Sequence, residues 1–181
     1  MIKTYQLQVG PLTRRLPVMP ISDTMAIASF VLLGDAELTD YAAEELAKKV
    51  PAEFDYFVTL ESKGIPLAQE LSRLTGHQEY VVLRKSVKDY MRAPLTVPVK
   101  AITTSAPQIL ALDGADADKL VAKRVVIVDD VISSGGSLSA AEELVSRAGA
   151  TVVSRLAILA EGDADKRTDI DYLAELPLFP L

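Results

Sequence analysis

Two adjacent carboxylates stand directly before a loop of small residues in the segment VVIVDDVISSGGS, residues 125–137. Hydroxyl groups and unobstructed backbone N–H groups come from five consecutive small residues, Ser133, Ser134, Gly135, Gly136 and Ser137. They open an amphipathic helix pattern, and a helix N-terminus with free N–H groups favours a bound phosphate. Carboxylates can accept hydrogen bonds from the vicinal hydroxyl groups of a ribose. Asp129, Asp130 and the loop therefore predict a site for a ribose 5-phosphate.

Other phosphate-binding loops do not fit this segment. A Walker A loop requires GxxxxGK[ST], and no lysine follows Gly135 and Gly136; a GxGxxG dinucleotide loop is also absent. The simplest alternative is a strand followed by a helix N-cap without any ligand, because serine, aspartate and glycine all favour such turns. The combination of an apolar run, paired acids and five small residues favours a ligand site.

The elements around the loop alternate between strands and helices. Helix patterns cover residues 36–50, 65–76 and the stretch from the small-residue loop to Gly149. Strand patterns cover residues 54–60, 79–85, 124–130 and 151–160. This alternation predicts an α/β fold with a central, mainly parallel sheet flanked by helices. Ligands bind beyond the carboxyl ends of such strands, where the loop ESKG (residues 61–64) and the small-residue loop both fall.

The region after residue 85 departs from the alternation. Residues 86–114 carry three prolines, scattered charge and two weak strand patterns, around 97–103 and 108–112. We interpret residues 86–104 as a flexible lid that closes over substrates. The apolar, proline-containing tail LAELPLFPL is expected to pack on the body of one domain that spans residues 1–181.

Composition excludes several classes of function. The 181 residues carry a net charge of -6, with 19 basic and 25 acidic residues, so general nucleic-acid binding is not expected. Without cysteine, disulfides, thiolate metal clusters and cysteine nucleophiles are excluded, and His77 is the only histidine. The longest apolar run, Met25 to Leu33, is too short to cross a bilayer, and the N-terminus lacks a signal-peptide pattern. We expect a cytoplasmic protein with no membrane or nucleic-acid partner.

These motifs resemble those of a known family. VVIVDDVISSGGS resembles the thirteen-residue signature with which type I phosphoribosyltransferases bind phosphoribosyl pyrophosphate (PRPP). LESKGIPLA resembles their pyrophosphate loop, and VVLRKSVKDY resembles the basic strand end of the adenine and xanthine branch, the adenine enzymes being the nearest. The likeness runs from about Ile27 to Glu161. It implies a small hood, formed by the N-terminal segment and the C-terminal tail, on the type I phosphoribosyltransferase fold.

The resemblance assigns a role to each polar loop. Ser133 to Ser137 would hold the 5-phosphate, and Asp129 and Asp130 would hold the ribose hydroxyls. The pyrophosphate would meet a larger set: Glu61, Ser62, Lys63, Gly64, Arg84, Lys85 and Lys88. Asp129, Asp130 and Lys63 are the implied catalytic residues, although the basic set could also be only the solvated end of a strand and loop. The resemblance further implies a non-proline cis peptide in the pyrophosphate loop, Mg²⁺ bound mainly through the substrate, and a homodimer.

The acceptor base is where the resemblance weakens. Adenine enzymes typically carry a glutamate, tyrosine and glycine in the hood, but no acid lies between Asp89 and Asp113. Candidates for contact with the base are Phe30, Val131 and Ile132. We predict a purine, adenine first. The alternatives are xanthine or guanine, with Lys85 or Lys88 facing the carbonyl oxygen, a pyrimidine or orotate, and a regulatory protein that binds PRPP without catalysis.

Overall fold

The computed structural model describes residues 3–99 and 108–181. In chain order the strands are β1 (Thr4–Val9), β2 (Leu12–Pro20), β3 (Met25–Ala28), β4 (Tyr56–Leu60), β5 (Tyr80–Leu83), β6 (Leu95–Val99), β7 (Gln108–Leu112), β8 (Arg124–Ile132), β9 (Thr151–Glu161), β10 (Ala174–Leu176) and β11 (Leu178–Pro180). The α-helices are α1 (Ala36–Ala47), α2 (Ile65–Thr75), α3 (Gly114–Leu120) and α4 (Gly136–Arg147), and a 3₁₀ helix covers Gly162–Lys166. None of the helices in these two ranges is long and apolar enough to cross a membrane.

The central sheet has five parallel strands in the order β10-β9-β8-β4-β5. This confirms the predicted α/β class. Strand β8 lies in the middle and is apolar on both faces, because each face of a parallel sheet is covered by other elements. Phe57, Val126 and Val128 pack under α1, α2 and the N-terminal strands. Val58 and Ile127 pack on the opposite face with α3, α4 and the β6–β7 pair.

The helices begin and end at local signals. Asp35 caps α1 by accepting a hydrogen bond from Leu38 N at 3.1 Å. Helix α2 carries proline in its first turn and ends at Gly76, whose φ of +76° suits glycine. Helix α1 stops at Ala47, three residues before the predicted end, because residues preceding Pro51 disfavour the helical conformation.

The hood is a four-stranded antiparallel sheet in the order β1-β2-β3-β11. Its strand β11 confirms that the C-terminal tail packs on the body. The sequence analysis did not assign β1, β2 or β3 as strands, although Tyr5, Leu7 and Val9 alternate with polar residues along β1, as expected for an antiparallel strand exposed on one face. The short helix α3 was also not predicted.

The segment predicted as a lid is partly a packed element. Strand β6 pairs antiparallel with β7, Val97 is buried against α4, and Arg147 Nη1 donates to Thr96 O at 3.2 Å. The predicted strand 97–103 therefore begins earlier, at Leu95, and its residues 100–103 lie outside the described part of the chain. The mobile lid stays a prediction for residues 86–94. The last residues of the predicted lid, 100–104, also lie outside the described part of the chain.

Candidate active site

The loop of residues 61–64 lies directly against the end of β8. A Cβ atom built on Gly64 would lie 2.3 Å from Thr59 Oγ1 and 3.1 Å from Asp129 Oδ1, so only glycine allows this approach. The peptide bond between Glu61 and Ser62 is cis, as the resemblance implied. The two polar loops predicted from the sequence therefore meet at one edge of the sheet.

The paired acids occupy the floor of this edge. Asp130 is only 4% exposed, and its Oδ2 makes no hydrogen bond within the described residues, although Lys63 Nζ lies 3.3 Å away. Asp129 Oδ1 accepts a hydrogen bond from Asp130 N at 2.9 Å. Burial, reinforced by the charge of Asp130, raises the pKa of Asp129 well above its usual range. The pair retains acceptor capacity that hydroxyl groups of a ligand could fill.

The small-residue loop closes a cavity of about 90 Å³ beside the acids. Gly135 adopts φ +82° and ψ 0°, and α4 begins at Gly136. Ser133, Ser134 and Ser137 are exposed. The N-terminus of α4 and these hydroxyls give the cavity the donors that a phosphate requires.

The basic cluster splits into two groups. Arg84 binds Glu61 Oε1 at 3.1 Å and donates to Tyr90 Oη at 2.7 Å, and Lys88 Nζ donates to Ser86 Oγ at 2.6 Å. Only Lys63 and Lys85 line the larger cleft next to the acids. Arg84 and Lys88 do not line it, although Glu61, the partner of Arg84, does.

Glu61 links this cluster to the loop. Its Oε2 accepts a hydrogen bond from Lys85 N at 2.9 Å. This bond, with the Arg84 guanidinium, lowers the pKa of Glu61. Glu61 is thus held ionised as an anchor, and Ser62 is the exposed residue of the loop.

The larger cleft, of about 250 Å³, extends from the acids to the hood. Phe30 forms part of its hood wall but is itself only 6% exposed and belongs to the core. Val131 is half-buried and faces both cavities. Ile132 packs in the core and borders only the small cavity, so among the base candidates the cleft brings together Phe30 and Val131.

Glu161 is a cleft residue that the sequence analysis missed. It ends β9 and lines the cleft with Lys63 and Lys85. Burial raises its pKa, while the Ser133 hydroxyl and the Lys63 ammonium act in the opposite direction. The available signal was its position, since it ends a strand that is parallel to β8 and adjacent to it. The segment between Asp89 and Asp113, where the adenine enzymes carry their glutamate, contains no acid, and Glu161 lies outside it.

The carboxylate oxygens at this edge of the sheet suit a magnesium complex of a phosphorylated sugar. The buried Asp130 carboxylate has an oxygen without a hydrogen-bond donor in the described residues, which suits a hydroxyl or a metal-bound ligand. No group of three acids or histidines in the described residues could hold a metal ion by itself. Asp129 and Asp130 are the residues that would approach such a complex.

Comparison with known proteins gives consistent results. Residues 34–176 match the family described as phosphoribosyl transferase domain. Hypoxanthine/guanine phosphoribosyltransferase of Methanococcus voltae is 32% identical over 150 residues, covering 83% of this chain and 73% of the relative. The Methanotorris igneus protein of the same name is 33% identical over 150 residues, covering 82% and 74%. The crystal structure of adenine phosphoribosyltransferase from Thermoanaerobacter pseudethanolicus superposes with a TM-score of 0.68 at 27% identity, covering 80% of this chain and 84% of that one.

Proposed function

This chain belongs to the phosphoribosyl transferase domain family, and we propose that it transfers the 5-phosphoribosyl group of PRPP to a purine base. The products are a nucleoside monophosphate and pyrophosphate, which makes the reaction a step of purine salvage. One observation carries the proposal: a phosphate loop, a buried acid pair and the loop of residues 61–64 surround the same two adjoining cavities. We assign these groups, in that order, to the 5-phosphate, the ribose diol and the pyrophosphate of PRPP.

Each part of PRPP has a proposed partner. The 5-phosphate binds the loop Ser133–Ser137, and the ribose hydroxyls donate to Asp129 and Asp130. The pyrophosphate lies over residues 61–64, where Lys63 and Lys85 offset its charge. Arg84 and Lys88, also assigned to pyrophosphate by the resemblance, would first have to leave Glu61, Tyr90 and Ser86.

The chemistry is a displacement at ribose C1. The bond from C1 to the pyrophosphate oxygen breaks, and its electron pair leaves with the pyrophosphate. A ring nitrogen of the base forms the new bond to C1, and the proton of the base passes to the pyrophosphate or to water. The transition state is oxocarbenium-like, as in other glycosyl transfers. Lys63 stabilises charge that grows on the leaving group, and the acid pair fixes the ribose relative to the base. Mg²⁺, held mainly through the substrate close to Asp129 and Asp130, would offset the negative charge of the pyrophosphate.

Adenine is the acceptor that the sequence favours. Its ring N1 accepts a hydrogen bond and its amino group donates, so its site requires both a donor and an acceptor. The similarity to an adenine enzyme at 27% identity supports this choice. Glu161 lines the cleft, and its carboxyl oxygens can accept from the adenine amino group.

A 6-oxopurine is the second candidate, and Glu161 is the observation that favours it. Hypoxanthine and guanine carry a hydrogen on N1, which an ionised carboxylate accepts, and guanine adds a second donor in its amino group. Lys85 lines the same cleft and can face the carbonyl oxygen. The relatives at 32% and 33% identity are named for these two bases.

An acceptor panel tests the proposal. The protein is incubated with PRPP, Mg²⁺ and, in turn, adenine, hypoxanthine, guanine, xanthine, uracil and orotate, and nucleotide and pyrophosphate are measured. We expect turnover with a purine. PRPP binding without turnover of any base would refute the enzyme and favour a regulatory PRPP-binding protein. Turnover with orotate or uracil alone would refute the purine and favour a pyrimidine acceptor.

From the resemblance we also propose a homodimer that acts in the cytoplasm with Mg²⁺ as its cofactor. Light scattering coupled to gel filtration measures the mass of the assembly against the 19.5 kDa of one chain. A single-chain mass at working concentration would contradict the dimer without affecting the proposed chemistry.

A further inference from the structure

The guanidinium of Arg167 lies beside the phosphate loop. A Cβ atom built on Gly135 would lie only 2.9 Å from Arg167 Nη1, so this part of the loop is directly against the arginine. Arg167 follows the 3₁₀ helix after β9, and its backbone N–H donates to Ala164 O at 3.2 Å. The sequence of the loop does not predict its contact with Arg167.

Asp169 fixes the orientation of the guanidinium. Arg167 Nε and Nη2 donate to the two carboxylate oxygens of Asp169, at 2.9 Å and 2.6 Å. A planar two-point pair of this kind holds an arginine in one orientation. Nη1 makes no hydrogen bond to residues 3–99 or 108–181, and it is the nitrogen that faces Gly135. Asp169 therefore binds one side of the guanidinium, and the N–H groups of Nη1 on the side of the loop have no partner in the described residues.

The loop needs a charge that its own residues do not supply. Ser133 to Ser137 offer only hydroxyls and backbone N–H groups, while a phosphate monoester carries close to two negative charges at neutral pH. Asp129 borders the same small cavity and repels such an anion when ionised. Lys63 and Lys85 line the adjoining cleft and not the small cavity that contains Gly135, so we assign those lysines to the other end of the substrate.

The arginine belongs to a charge-balanced cluster of ion pairs. Arg155 Nε lies 4.0 Å from Asp169 Oδ2 and also pairs with Glu142. The cluster of Arg155, Arg167, Glu142 and Asp169 thus contains two positive and two negative groups. Within it, the Asp169 carboxylate is on the Nε and Nη2 side of Arg167, whereas Nη1 faces the loop.

We propose that Arg167 binds the 5-phosphate of the substrate and gives the phosphate loop a charged hydrogen-bond donor, Nη1. This inference rests on the proposed function, because it assigns a further residue to the same site. Gly135 is then required for two reasons: its positive φ, and the space that Nη1 occupies in place of a side chain.

Calorimetry with ribose 5-phosphate tests the assignment without knowledge of the base. Wild type, Arg167→Gln, Arg167→Lys and Arg155→Gln are titrated with ribose 5-phosphate and, separately, with magnesium pyrophosphate. We expect Arg167→Gln to bind ribose 5-phosphate about 10- to 100-fold more weakly, as for the loss of a charged hydrogen bond, with unchanged pyrophosphate binding. Lysine should restore part of the affinity. Arg155→Gln, which disturbs the same cluster without facing the loop, should change little.

The outcomes separate this inference from the proposed function. Equal ribose 5-phosphate affinity in wild type and Arg167→Gln overturns the inference alone, as does a selective loss of pyrophosphate binding. Failure of the wild type to bind ribose 5-phosphate overturns the proposed function and the inference with it. Thermal unfolding checks each variant, and if Arg167→Gln does not fold, Arg167→Lys carries the test through its weaker affinity and changed salt dependence.

Discussion

At the scale of single residues, the acid pair combines two conflicting demands. The proposed reaction needs carboxylates at the ribose, yet Asp130 is buried and Asp129 lies against it. Lys63, at 3.3 Å from Asp130, is the cation that accompanies the pair. Conflicts of this kind between stability and chemistry are typical of functional sites.

Replacing both acids by asparagine should separate binding from folding. Asp129→Asn with Asp130→Asn keeps the shapes but removes the charged acceptors, so we expect PRPP affinity to fall while the fold persists. The loss is roughly 1.5–3 kcal/mol for each hydrogen bond to a charged group. Titration calorimetry with PRPP and Mg²⁺ measures it, with circular dichroism as the control for folding. Unchanged affinity and turnover would refute the assignment of the pair to the ribose diol.

The raised pKa of Asp129 also predicts how stability depends on pH. The folded protein holds this proton more tightly than the unfolded chain, where the aspartate pKa is about 3.9. This tighter proton binding stabilises the folded protein fully below about pH 3.9. The stabilisation is lost as the pH rises from there through the folded-state pKa of Asp129. Asp129→Asn avoids that loss, so the variant should be more stable than wild type at pH 7, with the difference vanishing near pH 4. Urea unfolding across this range measures it, and a difference that grows toward acid pH would contradict it.

At the scale of elements, the site depends on how closely the loop of residues 61–64 approaches β8. Glycine at position 64 makes this possible, since any Cβ would meet Thr59 Oγ1 and Asp129 Oδ1. Glu61 fixes the other side of the loop through Lys85 N and Arg84. Contacts on both sides therefore hold the loop in place at the proposed pyrophosphate position.

Gly64→Ala should therefore cost stability and displace the loop from the acids. Overpacking of this kind costs about 1–3 kcal/mol. Because the nearest obstacle is a hydroxyl oxygen, adding Thr59→Ala should recover part of the loss, which a double-mutant cycle by urea unfolding detects as coupling. Fully additive effects would show that the contact with Thr59 is not the cause.

At the scale of the whole molecule, the hood joins distant parts of the chain above the cleft. Strand β3 pairs with β11, and Phe179 of β11 packs edge-on against Tyr5 of β1, with ring centroids 5.6 Å apart. Phe30 and Leu176 extend this layer to the cleft. The proposed base end of the site therefore depends on the hood, while the proposed phosphate end depends on β8 and α4.

Phe179→Ala tests this division between the two ends. Loss of a half-buried aromatic contact should lower the free energy of unfolding by about 1–2 kcal/mol. We expect the affinity for the accepted base, measured with PRPP and Mg²⁺, to fall more than the affinity for ribose 5-phosphate. A matched substitution of the exposed hood residue Met19 by alanine should change neither. Equal losses for base and ribose 5-phosphate would show that the hood acts on the whole site.

The sequence alone predicted four of the five strands of the central sheet, the helices α1, α2 and α4, and the two polar loops. These features follow from local patterns, because a buried parallel strand is a continuous apolar run and a phosphate loop is a run of small residues before a helix. Tertiary structure decided what local patterns do not contain. It brought Glu161 to the cleft and Arg167 to the phosphate loop, paired the strands of the hood, and engaged Arg84 with Glu61 and Tyr90. Each of these depends on contacts between residues far apart in the chain, and such contacts exist only once the sheet has brought their strands together.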